Sequence, residues 1–202
     1  MAHSARAATA EDLGDIAEAL ALAFLDDPLL SWLFGQDPTR AIRYTRRYFR
    51  SESARHLKHR HVYTTHVLSG AACWDPPGHW RTKTTDIVKI APLILRGTGW
   101  RMTHALGGLA RAERIHATFP EHYYLAIVGV RPDHQRQGAG TAMLAPILQR
   151  CDREGLGAYL ESSKESNISF YGQHGFQLKG EVDFPHGPKI WPMWREPRPH
   201  ND

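Results

Sequence analysis

The sequence predicts an α/β fold in which helices flank a mixed, partly parallel central sheet. From residue 123 to 195, apolar β-rich runs alternate with amphipathic helical segments, and strands joined through a helix run parallel. A short glycine-rich turn at 135–140 separates one such strand from the next helix. The length of 202 residues, with 42% hydrophobic and 23% charged residues, indicates one globular domain over 1–202.

Composition narrows the classes of partner. The net charge is +4, and the basic residues are scattered along the chain. Their densest stretch, at 40–60, is interpreted as a solvated helix face rather than a nucleic-acid site. No apolar run approaches the ~20 residues of a membrane span, and no signal peptide is evident. The two cysteines form no disulfide framework, and the 13 histidines lack metal-ligand spacing. We therefore expect a cytoplasmic protein with no metal, nucleic-acid or membrane partner.

The N-terminal half is predicted to be mainly helical. A capping box at Thr9 and Asp12 precedes apolar residues at helical spacing, so a first helix runs to about Leu25. Residues 29–34 are apolar and ambiguous. The other predicted elements are a helix at 39–58, a hairpin of strands 62–66 and 68–74, and helices at 86–96 and 100–117.

In the C-terminal half, strands and helices are predicted to alternate, and two strands follow the last helix. The elements of this half are a strand at 123–130, a helix at 139–154, a strand at 157–162, a helix at 166–174, and strands at 176–184 and 189–195. The turn before the first of these helices is typical of a phosphate site, because the first amides of a helix lack acceptors and carry the positive end of its dipole. Gly138 and Gly140 leave those amides uncovered.

Three further features strengthen a functional interpretation of the turn. Pro132 has no amide and ends regular strand pairing just before it. Glu161 lies at the end of the following strand, beside the position that a ligand on the first strand would take. Asn167 and Tyr171 are four residues apart and share a face of the next helix.

These residues carry a family resemblance. The pattern Val130-x-Pro132, Gln135-x-x-Gly138-x-Gly140, Asn167, Tyr171 and Gly175-Phe176 resembles the GNAT superfamily of acyl-CoA N-acyltransferases. Segments 128–135, 160–163, 170–171 and 185–188 are similar to the puromycin N-acetyltransferase type within it. The resemblance covers 123–194 well, and the N-terminal half only in layout.

The resemblance implies acetyl-CoA as cosubstrate, bound where the central strands splay apart. The amides of 136–141 would bind its pyrophosphate, the backbone of 128–130 would pair with the pantetheine arm, and Asn167 would hydrogen-bond that arm. The implied cofactor-binding residues are Val128, Gly129, Val130, Gln135, Arg136, Gln137, Gly138, Ala139, Gly140, Thr141, Asn167 and Tyr171.

The resemblance also implies two catalytic residues. Tyr171 is the candidate acid for the departing thiolate, although transfer from a phenol near pKa ~10 to a thiolate near ~8.5 is uphill by roughly 2 kcal/mol. We therefore expect Tyr171 to orient the sulfur as much as to protonate it. Glu161 is the candidate base, directly or through water, and a strand-end carboxylate in a surface ion pair is the alternative interpretation.

The acceptor site is expected in the half spanning 1–120, opposite the coenzyme half at 121–196. Asp26 and Asp27 could attract a cationic amine, and Trp32 and Trp74 could supply flat apolar walls. The alternative is that the tryptophans belong to the core and the aspartates end a helix. Asn167 could likewise cap its helix.

The resulting prediction is an N-acetyltransferase that moves an acetyl group to a primary amine of a small molecule by direct attack, without an acyl-enzyme. An aminonucleoside antibiotic such as puromycin is one candidate acceptor, which would make the activity one of antibiotic resistance. The alternatives are a non-catalytic acyl-CoA-binding regulator and an acetyltransferase of protein or peptide amines. The sequence leaves a homodimer open.

Overall fold

The computed structural model describes residues 4–35, 37–81, 99 and 101–198. The helices of this part are α1 (Leu13–Ala23), α2 (Pro28–Phe34), α3 (Pro38–Leu57), α4 (Arg101–His116), α5 (Ala139–Glu154) and α6 (Ile168–Gln173). The strands are β1 (Ala5–Ala7), β2 (Val62–Thr65), β3 (Gly70–Asp75), β4 (His122–Val130), β5 (Gly157–Ser162), β6 (Gln177–Leu178), β7 (Val182–Asp183) and β8 (Lys189–Arg195).

The strands form a mixed sheet in the order β1-β2-β3-β4-β5-β8-β6, and β7 pairs with β8. Strands β4 and β5 are parallel because α5 connects them, whereas the other pairs in this order are antiparallel. The predicted fold class, a partly parallel sheet flanked by helices, is confirmed.

The two central strands separate half-way along their length. Pairing between β4 and β5 ends at Leu125 and Leu160, whereas β4 continues to pair with β3 as far as Val130. Just beyond Leu125, β4 contains one extra residue, Ala126, between the partners of Trp74 and Cys73. Such a bulge bends the strand and increases its twist. The gap that results is the predicted splay of the central strands.

Helices cover both faces of the sheet. On one face α5 buries Met143, Leu144 and Ile147 against β3, β4 and β5. On the other face α1 and α3 bury an apolar cluster that includes Leu20 and Phe49. Helix α4 packs against β7, β8 and α2 on the same side. These two cores hold the open end of the gap in place.

Several elements differ from the sequence prediction. The short strand β1 has no local signal, and the ambiguous segment 29–34 is the helix α2, whose N-cap is Asp27. The predicted strand 176–184 is divided into β6 and β7, because Gly180 has a φ of 140°. The predicted helix 86–96 lies outside the described residues. No helix in the described part is long and apolar enough to span a membrane.

Candidate active site

The glycine-rich turn lies directly before α5, at the open end of the gap. Arg136 and Gly138 have φ values of 60° and 86°, so the turn passes twice through the left-handed region. The first hydrogen bond of the helix runs from the Ala142 amide to the Gly138 carbonyl. The amides before Ala142 therefore have no acceptor within the helix. The consecutive amides of 138–141 lie outside the helix hydrogen-bond pattern, and amides in this arrangement form a concave site for an anion.

The structure gives different reasons for glycine at the two predicted positions of the turn, 138 and 140. A side chain at Gly138 would meet open space, so its positive φ is the constraint there. A Cβ at Gly140 would come within 3.1 Å of the Phe170 ring on α6. Gly140 therefore also allows close packing of α5 against α6, which is a second reason for glycine at this position.

The β4 edge that faces the gap carries free main-chain groups. Val128 and Gly129 pair with Ala72 and Ala71 on the β3 side. On its other edge, β4 pairs with no described strand beyond Leu125. Every second residue there directs its main-chain N–H and C=O groups into the gap. The Gln135 side chain donates to the Val130 carbonyl at 2.9 Å and links the turn to the strand. A Cβ at Gly129 would lie 2.8 Å from Phe24, so glycine there lets α1 approach β4.

Asn167 and Tyr171 lie on the β5 side of the gap. Asn167 is at the N-cap position of α6, but its side chain makes no capping hydrogen bond. The capping interpretation of Asn167 is thus not observed. Tyr171 is buried and contacts the rings of Phe170 and Phe176. Burial, and then the Asp27 carboxylate, raise the pKa of its phenol above the usual value of 10.

Glu161 is held at the point where β4 and β5 separate. Its side chain is 12% exposed, and Tyr124 on β4 donates a hydrogen bond to Oε2 at 2.8 Å. Burial raises the Glu161 pKa from 4.5 to about 7, against the opposing effect of the hydrogen bond from Tyr124 and of the Tyr159 hydroxyl. Glu161 is therefore not in a surface ion pair. It is a buried carboxylate that can gain and lose a proton near neutral pH.

The two predicted aspartates have different environments. Asp27 is 2% exposed; it accepts hydrogen bonds from the Leu30 amide at 2.9 Å and from the Ser163 hydroxyl. Burial raises the Asp27 pKa. Asp26 is exposed and pairs with Lys164. These contacts join the α1–α2 turn to the end of β5.

An open pocket of about 420 Å³ lies between the α1–α2 turn, the end of β5 and the start of β8. Its lining residues are Asp26, Pro28, Ser163, Lys164, Glu165, Ser166, Pro188, Lys189 and Trp191. Of the four predicted acceptor residues, Asp26 lines this pocket directly, and Asp27 contacts it through Ser163.

The two predicted tryptophans have structural positions. Trp74 is completely buried in the core beneath α5, where it forms no pocket wall. Trp32 packs edge-on against Phe184 and closely over Gly187. The aromatic residue in the pocket wall is Trp191, which the sequence analysis did not identify.

Several other residues of the site were missed. They are Tyr124, Tyr159, His116, His122, Ser163 and Lys164. Ser163 belongs to the strand-end segment 160–163, so a signal existed for it. The others reach the site through strand register and helix docking, for which the sequence has no local signal.

The described residues contain no group of three or more His, Cys, Asp or Glu side chains that could hold a metal ion. The turn and the gap fit coenzyme A. The amides of 138–141 suit a pyrophosphate, the space beside Gly138 is open, and the unpaired edge of β4 suits an amide-containing arm. Fold and site together define an acyl-CoA-dependent acyltransferase.

Comparison with known proteins identifies the family. The model of the acetyltransferase (GNAT) family matches residues 27–176, and the chain belongs to this family. It is an acetyl-CoA-dependent N-acetyltransferase.

An uncharacterised N-acetyltransferase of Schizosaccharomyces pombe is 27% identical over an alignment of 203 positions, which covers 89% of this chain and 76% of the relative.

Two solved structures share the fold. One, described as histone acetyltransferase HPA2 and related acetyltransferase from Corynebacterium glutamicum, has a TM-score of 0.68 and 22% identity, and the match covers 100% of both chains. The other, arylalkylamine N-acetyltransferase 2 from Aedes aegypti, has a TM-score of 0.66 and 13% identity, and the match covers 97% of this chain and 99% of the other.

Proposed function

We propose that this enzyme acetylates a primary amine of a small cationic molecule by direct attack on acetyl-CoA, with Glu161 as the base. The observation that carries the proposal is the buried Glu161 carboxylate, which accepts a hydrogen bond from Tyr124 at the point where β4 and β5 separate. Burial raises its pKa to about 7. A general base works best when its pKa lies near the working pH. A pKa raised to about 7 brings Glu161 into the range in which a carboxylate both accepts and releases a proton near neutral pH.

The raised pKa lowers the cost of proton removal. Transfer from an alkylammonium of pKa ~10.4 to an ordinary carboxylate of pKa ~4.3 is uphill by about 8 kcal/mol. With the Glu161 pKa at about 7 the same transfer costs about 4.6 kcal/mol. Tyr124 donates to Oε2, which leaves Oε1 for the substrate proton or for a bridging water.

Tyr171 acts chiefly by position in this proposal. The bound cosubstrate supplies an activated acetyl group and a thiolate leaving group. Because burial raises the Tyr171 pKa above 10, proton donation to a thiolate of pKa ~8.5 is uphill by more than 2 kcal/mol. A hydrogen bond from the phenol to the sulfur stabilises the leaving group without full proton transfer.

The main chain of β4 supplies the remaining donor. Alternate residues of a strand direct their amides to opposite edges, so one of Val128 and Gly129 directs its N–H into the gap. That amide is our candidate to bind the carbonyl oxygen as negative charge develops on it. Residues 136–141 would hold the pyrophosphate, and Asn167 the pantetheine arm from the β5 side.

The pocket chemistry favours a cationic acceptor with an apolar body. Asp26 and Glu165 lie at its lining and attract a positive charge, although Lys164 and Lys189 compensate part of that field. Trp191 and Pro188 offer apolar surface to the rest of the molecule. The Aedes aegypti neighbour is named for arylalkylamines, which have this combination of an amine and an apolar group.

Release of free thiol from acetyl-CoA tests the proposal. The acceptor panel contains arylalkylamines, polyamines, an aminonucleoside such as puromycin, and short peptides with free N-termini. We expect turnover with one of the small-molecule groups and, as the finer proposal, with the aminonucleoside. Turnover with peptides alone would assign a protein or peptide substrate. Tight coenzyme binding without thiol release for any acceptor would support a non-catalytic acyl-CoA sensor.

A further inference from the structure

We propose that His116 and His122 are positioning residues that keep a nitrogen lone pair, rather than an N–H group, facing the Glu161 carboxyl. The proposal rests on the role of Glu161 given above and adds a means by which the fold controls its proton. Both histidines are buried, at 3% exposure each. Neither belongs to the glycine turn, the strand gap or the acceptor pocket.

A chain of contacts determines which nitrogens carry protons. His122 Nδ1 lies 2.5 Å from the Pro120 carbonyl oxygen, which can only accept a hydrogen bond. His122 Nδ1 therefore carries the proton, and in the neutral ring Nε2 is an acceptor. His122 Nε2 lies 2.8 Å from His116 Nε2, which must then be the donor.

The proton on His116 Nε2 determines which group His116 presents to Glu161. A neutral His116 that donates through Nε2 has a lone pair on Nδ1. That atom lies 3.7 Å from Glu161 Oε1. At this distance it acts on the carboxyl through its electrostatic field, and a small movement would bring the two into a hydrogen bond. A lone pair disfavours the ionised carboxylate and accepts a hydrogen bond from the protonated acid. The tautomer of His116 thus favours the protonated form of Glu161.

The surroundings keep both rings neutral. Burial lowers the pKa of His116 to about 3 and also lowers that of His122. Trp80 and Tyr159 stack on the faces of His116, with centroids at 3.9 and 4.2 Å. Burial therefore disfavours a doubly protonated ring, which would present an N–H to Glu161.

Among the described residues, the other titratable groups near this chain act in known directions. Tyr124 on β4, which donates a hydrogen bond to Glu161, and Tyr159 on β5 both lower the Glu161 pKa. Asp75 on β3 raises the His116 pKa, and Arg81 lowers it. On β8 the residue opposite Glu161 is Pro192, which does not titrate.

The tautomers can be observed directly by ¹⁵N NMR of the histidine-labelled protein. We expect His122 to be protonated on Nδ1 and His116 on Nε2 at pH 7. Finding His116 protonated on Nδ1 would overturn the proposal. This measurement needs no substrate, so it remains decisive if no acceptor amine is ever acetylated.

A pair of variants tests the consequence for Glu161. His122→Phe removes the acceptor, so His116 can turn its N–H toward Glu161 and stabilise the carboxylate. His122→Gln places an amide oxygen near the former Nε2 position and preserves the acceptor. We expect the Glu161 pKa, followed by ¹³C NMR of its carboxyl carbon, to fall by about one unit in His122→Phe and by less than about 0.3 unit in His122→Gln.

In the active enzyme, the two His122 variants are compared by the pH dependence of kcat/KM, whose acid limb reports the ionisation of Glu161. A parallel shift of the acid limb to lower pH in His122→Phe alone supports the proposal. Equal shifts in the two variants, or none in either, contradict it. A merely structural role for His122 would lower stability and rate without moving the pH at which Glu161 titrates.

Discussion

Replacing Glu161 with glutamine is expected to slow acetylation in proportion to the basicity of the acceptor amine. The glutamine side chain has nearly the same shape and can still accept the hydrogen bond from Tyr124 Oη. It cannot remove a proton. The neutral fraction of the amine must then come from solution, and this fraction depends on the amine pKa.

The expected magnitudes follow from the pKa values of the acceptors. At pH 7 an alkyl amine of pKa ~10.4 is neutral in about one molecule in 2500, equivalent to roughly 4.6 kcal/mol. An α-amino group of pKa ~7.8 is neutral in about one molecule in seven, equivalent to roughly 1 kcal/mol. We therefore expect Glu161→Gln to lose about 10³-fold in kcat/KM with the alkyl amine and about tenfold or less with the α-amino compound.

The assay is initial-rate thiol release with two acceptors of matched shape, an alkyl amine and an α-amino amide, from pH 6 to 10. Wild-type enzyme should show an acid limb near pH 7, where Glu161 becomes ionised. The variant should recover toward wild-type rates as pH approaches the amine pKa. An equal loss with both acceptors, unchanged at high pH, would refute the assignment of Glu161 as base.

Three further outcomes are expected. Tyr171→Phe should lower kcat by about 10- to 100-fold without abolishing turnover, with the KM for acetyl-CoA unchanged; complete loss would assign obligatory proton donation. Asp26→Asn should raise the KM of a cationic acceptor about three- to tenfold at low salt and less at high salt, whereas Asp15→Asn on the exposed side of α1 should not. Glu161→Gln should also be more stable than the wild-type protein at pH 8, by up to about 3 kcal/mol, and should lose this advantage at pH 4.5. The reason is that folding raises the Glu161 pKa, so the stability that the protonated side chain gives the wild-type protein is lost as pH rises through about 7. Thermal melts of both proteins at both pH values measure this difference.

The coenzyme half could be predicted closely because its signals are local. Helix α5 begins and ends at the predicted residues, since a glycine turn precedes it and Gly155 ends it in the left-handed conformation. The bounds of β5 also agree with the prediction. In contrast, α2 was ambiguous although Asp27 caps it and Pro28 begins it, because the same two residues can also end the preceding helix.

The site could be predicted only where function and local pattern coincide. Glu161 was assigned from its place at a strand end, but its partner Tyr124 depends on the parallel register of β4 and β5. His116 approaches Glu161 only because α4 docks over the sheet. For Trp74 the sequence left a pocket wall and a core position open, because the face of the sheet that a strand residue occupies depends on its register, and the structure places it in the core.

The central claim is that the turn before α5 binds the pyrophosphate of coenzyme A through its main-chain amides. Calorimetric titration of coenzyme A into the Gly138→Val variant tests it most directly, with Gly155→Val as the matched control. Both glycines have positive φ and open space around them, at opposite ends of the same helix, so the two variants carry similar backbone strain. We predict at least about a tenfold loss of affinity in Gly138→Val alone, equivalent to roughly 1.4 kcal/mol. Equal affinities in the two variants would contradict the account.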